Sequence, residues 1–249
     1  MSPIPRNPFV KFHAGGRAFA ASFERPVPVH VPVQAAVSLP TIGGHGHARV
    51  DDFEVPRLVK FKSAESHVSG GYQDNDTATS QVTTIVRGLN ISDVITADRI
   101  VGRMSSEHKI GHEEGHILAI GSLYENLRIA GYEFKIKLKH ELLQENETFE
   151  KLAKKVASGK KSDKNARTQD KVALCSLVEK IETDFPGVDK ESHVVKIPHF
   201  GTITFAELLF MPGTKTLTMM RFDLGSPDGG TGIAAEVVLN GPQYPPPHK

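Results

Sequence analysis

Alternation of apolar and charged residues is the feature of this sequence that most constrains its fold. From Phe134 to Lys139, phenylalanine, isoleucine and leucine alternate with lysine at every second position. Successive side chains of a β-strand point to opposite faces, so this segment predicts a strand with one apolar face and one solvated face. A helix would instead need apolar residues at every third or fourth position.

Further short segments carry β signals on both sides of this one. They are rich in β-branched residues or alternate in polarity, and glycines, prolines and polar loops separate them. They are LVKFKS (58–63), QVTTIVRGLNI (81–91), VITADRIVGRM (94–104), HILAIGS (116–122), HVVKI (193–197), GTITFAELLF (201–210), KTLTMMRFDL (215–224) and IAAEVVLN (233–240). Because helices do not alternate with these segments, a parallel α/β fold is disfavoured. The sequence predicts a mainly β chain, an antiparallel β-sandwich-like domain.

The periodicity becomes helical near residue 146. Apolar residues at i, i+3, i+4 and i+7 begin at Phe149, and Thr148 or Asn146 can cap the start of this helix. The apolar residues of segment 172–181 predict a second helix after a basic loop. The sequence therefore predicts a two-helix hairpin, 146–190, inserted into the β domain.

The ends of the chain are rich in proline. In PVPVHVPV (26–33), proline alternates with valine or histidine. Because proline donates no backbone hydrogen bond, this segment predicts an edge strand or a polyproline segment. Outside the helical insertion we therefore divide the chain into an extended proline-rich N-terminal arm (1–40), a β domain (41–145 and 191–241) and a proline-rich tail (242–249).

The composition narrows the class of protein. The 30 basic and 29 acidic residues give a formal net charge of +1, which argues against a dedicated polyanion binder. A single cysteine, Cys175, excludes an internal disulfide framework. No apolar run reaches the roughly 20 residues of a membrane span, and the start, MSPIPRNPFVKF, lacks the apolar region of a signal peptide. We expect a cytoplasmic protein, or an extracellular one whose export signal has been removed.

The pentapeptide HEEGH, from His112 to His116, satisfies the H-E-x-x-H pattern of zinc hydrolases. That chemistry needs a helix, yet Gly111 and Gly115 would each cost about 1 kcal/mol inside one. The flanking segments predict strands, so we interpret the motif as a loop. His108, His112 and His116 recur every four residues and could hold a transition metal only if this stretch were helical.

A second histidine pair is His45-Gly46-His47. On a strand, residues i and i+2 share a face, so both imidazoles could bind one divalent metal ion. A glycine-rich turn is the favoured interpretation. The sequence predicts no catalytic residue. It predicts no cofactor other than a possible divalent metal ion at these histidines.

The stretch 151–180 is basic, with nine lysines and arginines against three acidic residues. Lys160, Lys161, Lys164 and Arg167 are its candidates for nucleic-acid contacts. Nucleic-acid binding of single strands relies on aromatic platforms as well as charge, and only Phe149 is near. A solvated basic loop is therefore the favoured interpretation, and nucleic acid is an unlikely partner.

The order of several segments resembles that of the bacterial choice-of-anchor P family. These segments are VSLPTIGGHGHARVDDFEVPRLVKFKSAESHVSGGY, SQVTTIVRGLNISDVITADRIVGRMSSEH, ENLRIAGYEFKIKL and FGTITFAELL, and together they cover about two thirds of the chain. The resemblance implies a β-rich, extracellular-type domain with no catalytic residues to carry over. The helical insertion near 146–186 and the lack of a signal peptide or C-terminal anchor depart from the family pattern.

Many short strands, proline-rich ends and apolar strand faces without a polar constellation favour a non-enzymatic structural or interaction protein. We expect it to form homo-oligomers through strand edges and extended termini. The alternative is a metal-dependent enzyme that uses His45 and His47 or the His108–His116 stretch. A polyanion binder is a third hypothesis.

Overall fold

A computed structural model gives the fold of most of the chain. It describes residues 11–74, 76–109, 112, 115–145, 148–158, 167–169, 172–186, 188, 193–225 and 229–243.

The described residues form strands almost throughout, with two helices between β12 and β13. The strands are β1 (Lys11–Phe23), β2 (Val29–Gln34), β3 (Val37–Ser38), β4 (Gly44–Val55), β5 (Val59–Tyr72), β6 (Thr77–Ile91), β7 (Ile95–Lys109), β8 (His116–Leu118), β9 (Leu123–Glu125), β10 (Arg128–Ile129), β11 (Tyr132–Glu133), β12 (Lys135–Leu138), β13 (Arg167–Gln169), β14 (Val172–Ser176), β15 (Val178–Glu182), β16 (Val194–Ile197), β17 (Gly201–Met211), β18 (Thr214–Leu224) and β19 (Gly230–Gln243). The helices are α1 (Leu142–Glu145) and α2 (Phe149–Ser158).

The long strands form two antiparallel sheets. Sheet A has the order β13-β14-β17-β18-β19-β1-β2, with β16 on β17 and β3 on β1. Sheet B has the order β11-β10-β7-β6-β5-β4, with β8 and β9 on β7. A separate ribbon joins β12 to β15. The predicted mainly β, antiparallel sandwich-like class with a small helical insertion is confirmed.

Aromatic side chains fill the space between the two sheets. Phe19 of β1 is fully buried, and its ring lies 5.7 Å from that of Phe61 in sheet B and 6.2 Å from that of Phe222 in sheet A. The strands β1, β18 and β19 of sheet A face β5, β6 and β7 of sheet B. The core is therefore the layer of inward-facing side chains that two stacked sheets share.

The inward and outward alternation reverses once within sheet A. At this level two consecutive residues are buried in β1 and β17 and four in β18 and β19. The residues Ala18, Ala235, Met219 and Ala206 are not paired in the ladder. Ala206 and Ala235 take left-handed backbone angles, with φ of 45° and 54°. We call these four residues the sheet A kink.

Sheet B has a matching row, formed by Asp52, Lys62, Gly88 and Asp98. Asp52 has φ of 52° and Gly88 has φ of 64°, a region that suits aspartate and glycine better than other residues. The pairing register is the same on both sides of the row, yet the buried parity changes, for instance from Phe61 to Ala64 in β5. The row therefore reverses the inward and outward alternation of sheet B without shifting its strands, and we call these four residues the sheet B kink.

The helical insertion differs from its prediction. Helix α2 forms where the periodicity placed it: Thr148 Oγ1 accepts a hydrogen bond from the Lys151 amide at 3.3 Å, and Leu152 is buried. The predicted second helix over 172–181 is wrong, because this segment forms β14 and β15. β14 gains ladder hydrogen bonds from β17, and this pairing with a distant strand decides against the local apolar spacing.

The N-terminal segment also differs from its prediction. The segment predicted as an extended arm instead contains the sheet A strands β1, β2 and β3, and β1 pairs with β2, β3 and β19. The proline-containing β2 is an edge strand, which is one of the two alternatives that its sequence predicted. Residues 1–10 and 244–249, at the far ends of the predicted arm and tail, lie outside the described residues.

Neither of the two helices in the described part of the chain is long and apolar enough to cross a membrane.

Candidate functional site

Two histidines face each other on the outer surface of sheet B. His47 of β4 stands directly opposite His67 of β5, and their rings stack with centroids 4.2 Å apart at an interplanar angle of 14°. Ala64 and Val68 of β5 are buried against sheet A, so the intervening residues Glu65 and His67 point away from it. We call His47, Glu65 and His67 the histidine cluster.

Glu65 anchors the cluster. Its side chain is 10% exposed, and it accepts a hydrogen bond from Arg87 of β6 through Oε1. Its other oxygen, Oε2, lies 3.4 Å from Arg49 Nη1 and 3.6 Å from His67 Nε2. Burial alone would raise the pKa of the Glu65 carboxyl, but hydrogen bonding and charge from Arg87, with a contribution from His67, hold that pKa below its ordinary value.

Arg49 is itself held by Asp51, two residues along β4. The Arg49 guanidinium donates to both carboxylate oxygens of Asp51, at 2.7 to 3.0 Å. This fork geometry fixes the guanidinium beside Glu65. The two arginines and two carboxylates around the histidine cluster therefore balance in charge.

Replacing Glu65 by glutamine tests this electrostatic arrangement. We expect a loss of about 2 kcal/mol in the free energy of unfolding near neutral pH, because charged hydrogen bonds to Arg87 and Arg49 are lost. A carboxyl whose pKa is lowered by folding stabilises the fold at pH values above its unfolded pKa, and that stability disappears as pH falls through the folded pKa. The difference between wild type and variant should therefore shrink in acid.

Urea denaturation at a series of pH values measures that difference. Glu133→Gln is the matched control, since Glu133 is exposed at the far edge of sheet B and makes an exposed ion pair with Lys135, at 3.5 Å, whose loss should cost little. A difference between wild type and Glu65→Gln that stays constant into acid would contradict the expectation.

The histidine cluster has the donors of a metal site. One ligand atom from each of its three residues lies within 4.8 Å of the other two. Among the described residues, this is the one group of three or more histidine, cysteine or acidic side chains whose ligand atoms all lie within that distance of one another. Imidazole and carboxylate together suit divalent transition metals such as Zn²⁺.

Of the predicted metal candidates at His45 and His47, the structure brings only His47 into the cluster. Both lie on the exposed strand β4 rather than in a turn, and at i and i+2 they share its outer face. His45 instead lines an open groove of about 550 Å³ together with His116, Ser69 and Gln81.

The three histidines spaced by four lie in and beside a hairpin connection. β7 ends at Lys109 and β8 begins at His116, directly opposite Glu107, so the H-E-x-x-H stretch does not lie on a helix in its described residues. His108 is buried on the inner face of β7, whereas His116 is on the outer face. The structure therefore separates these two imidazoles by the thickness of the sheet.

His108 contacts the loop that follows it. Its Nε2 lies 2.7 Å from the carbonyl oxygen of His112. Burial lowers the pKa of the His108 imidazole, and the hydrogen bond to His112 only partly opposes this. Its position is that of a neutral histidine closing the hairpin.

The predicted nucleic-acid candidates fall mostly outside the described residues. Lys160, Lys161 and Lys164 lie outside them. Arg167 lies within them, as the first residue of the short strand β13.

β4 is also the last strand of sheet B. β5 pairs with one of its sides, and within the described residues no strand pairs with the other. A β-carbon added to Gly46 would lie 2.8 Å from the Val37 side chain, so β3 approaches the start of β4. Among the described strands, none pairs with the backbone amide and carbonyl groups along the remainder of this edge.

Charges along the β4 edge fall into two halves. The first half is basic, with two histidines and one arginine, and the second half is acidic. All six side chains are exposed: His45, His47 and Arg49, then Asp51, Asp52 and Glu54.

Sequence reasoning missed Glu65 and His67. The signal available was a pair of polar residues at i and i+2, Glu65-Ser66-His67, just after the predicted strand 58–63. A second such pair, His45-Gly46-His47, precedes that strand. The register that places His67 opposite His47 and not opposite His45 is a property of the folded sheet.

Comparison with known proteins identifies a family. The family model described as a domain of unknown function (DUF8256) matches residues 10–173 and 150–211. No curated protein and no solved structure matches the chain.

Proposed function

The chain belongs to the domain of unknown function family DUF8256, and from its geometry we propose that it is a non-enzymatic interaction protein that self-associates. The association pairs β4 with β4 of a second copy, so that the two B sheets continue into one. The single observation that carries this proposal is the division of the β4 edge into a basic and an acidic half.

Antiparallel pairing about a two-fold axis suits this charge pattern. A two-fold axis near Val50 places the basic half of each strand beside the acidic half of the other strand. Parallel pairing would instead place like charges together, which is unfavourable. Charged residues normally protect an edge from indiscriminate pairing, and here the pattern leaves one arrangement attractive.

Other edges of the sandwich are less suited to strand addition. β2, at one edge of sheet A, contains Pro32, which cannot donate to a ladder. β13 and β11, at the other two edges, have three and two residues. β4 has 12 residues and supplies the longest ladder for β-augmentation among these four.

Light scattering coupled to size-exclusion chromatography tests the proposal. We expect wild type to have twice the mass of one chain at high concentration and to dissociate on dilution or in high salt. Replacing Asp51 and Glu54 together by lysine should raise the dissociation constant about 100-fold, because like charges then meet across the axis.

The control for this variant is Glu133→Lys. It makes the same kind of charge reversal on β11, at the opposite edge of sheet B, and should leave the dimer unchanged. A wild-type chain that stays monomeric at every concentration would overturn the proposal, as would a dimer that the β4 variant does not weaken.

A further inference from the structure

We propose that the histidine cluster is a binding site for one divalent transition-metal ion of the Zn²⁺ class. His47, Glu65 and His67 supply the three protein ligands, and the solvent side leaves a further position open. This inference does not require the proposed pairing of β4, although His47 belongs to both, since the ligands are side chains on the outer face of sheet B.

Ligand spacing is the first argument. Zinc bonds to imidazole nitrogen and carboxylate oxygen are about 2.0 to 2.2 Å long, so two ligand atoms of a tetrahedral site lie about 3.4 Å apart. Glu65 Oε2 and His67 Nε2 are already 3.6 Å apart. The third ligand atom, from His47, is within 4.8 Å of both, which a small rotation of an exposed ring can close.

The surroundings of Glu65 are the second argument. Arg87 binds Oε1, and this contact orients the carboxylate with Oε2 toward His67. A ligand held in place by a neighbour loses little freedom when it binds a metal. Both histidines are exposed, so an ion can reach them without any opening of the sandwich.

Local charge is the third argument. Arg49 and Arg87 would repel a cation if they stood alone. Asp51 neutralises Arg49 through three hydrogen-bond contacts, and Glu65 pairs with Arg87. An arriving divalent ion therefore meets no excess of positive charge among these four groups.

The donor set defines the class of ion. Two imidazoles and one carboxylate favour Zn²⁺, Ni²⁺, Co²⁺ or Cu²⁺ over Mg²⁺ and Ca²⁺, which take oxygen ligands. Because an imidazole binds a metal in its neutral form, affinity should fall as the solution becomes more acidic.

Isothermal titration of the full chain with Zn²⁺ tests the site. We expect one equivalent to bind at the histidine cluster, and His67→Ala to weaken this binding about 100-fold or more. His47→Ala should do the same. Mg²⁺ should give no comparable signal. Circular dichroism checks that the two variants retain the fold, which is expected because both side chains are exposed.

His45→Ala is the matched control, since His45 lies two residues from His47 on the same strand face but outside the cluster. It should leave Zn²⁺ affinity unchanged. His112→Ala with His116→Ala separates the cluster from the H-E-x-x-H stretch. The inference is overturned if Zn²⁺ does not bind, if binding is unaffected by His67→Ala, or if only the His112 and His116 variant loses it.

The mass of the wild-type chain and its Zn²⁺ binding together separate the two proposals. Zn²⁺ binding by a wild-type chain that stays monomeric would support the metal site and overturn the β4 pairing. A wild-type dimer that binds no Zn²⁺ would support the pairing and overturn the metal site.

Discussion

Replacing Tyr124 by phenylalanine is expected to lower the free energy of unfolding by about 3 kcal/mol, although it removes a single oxygen atom. Tyr124 lies on β9 of sheet B, and its hydroxyl crosses the sandwich to the sheet A kink. There it donates a hydrogen bond to the carbonyl of Met219 and accepts one from the Ala206 amide at 3.0 Å.

The size of this effect follows from the interrupted ladder. Ala206 and Met219 occupy the one level at which β17 and β18 do not pair, so the ladder does not serve their backbone groups. The Tyr124 hydroxyl takes the place of the missing partner for both. Burial raises the pKa of this hydroxyl, which therefore remains a donor. Phenylalanine would leave a buried donor and a buried acceptor unpaired.

Urea denaturation of the variant measures the loss. Tyr132→Phe is the matched control, because Tyr132 is 42% exposed and its change should cost less than about 0.5 kcal/mol. Equal small losses in both variants would show that the hydroxyl of Tyr124 does not support the kink.

Truncation of Phe19 to alanine should have a still larger effect, about 4 kcal/mol. Phe19 is fully buried and contacts Phe61 of sheet B and Phe222 of sheet A, so its ring fills space that belongs to both sheets. Its removal leaves a cavity that neither sheet can close alone, since strand pairing fixes the backbone on both sides.

Phe53→Ala provides the comparison. Phe53 also stacks on Phe61, with ring centroids 4.9 Å apart, but it lies on the edge strand β4 and is only partly buried. We expect it to cost about 1.5 kcal/mol. Phe19→Leu, at about 1.5 kcal/mol, extends the series if the alanine variant does not fold. A Phe19→Ala loss no larger than that of Phe53→Ala would contradict this account of the core.

The sequence was enough to predict where most strands lie. It was only partly enough to predict which side chains of each strand point into the core. In β5, the alternation of LVKFKS places Val59 and Phe61 on one face, and both are core residues. Extended through the sheet B kink, the same parity would bury Glu65 and His67 among apolar residues, whereas Ala64 and Val68 are the core residues there. A left-handed residue in a neighbouring strand, such as Gly88, is not visible in the alternation of β5.

The candidate site shows the same division. The pair His45 and His47 drew attention to β4 from sequence, and the geometry of β4 keeps His47 as a ligand candidate. Its two partners come from the next strand, 18 and 20 positions later in the chain. No spacing rule along a single segment connects them, because antiparallel register sets which residues meet.

By itself the sequence determined the β class, the positions of most strands and the start of helix α2, because these depend on periodicity and capping within a few residues. Tertiary structure decided that 172–181 forms strands, that β1 lies inside sheet A, and that His47 meets Glu65 and His67. Each of these outcomes depends on hydrogen bonds between segments far apart in the chain, whose free energy no local pattern encodes.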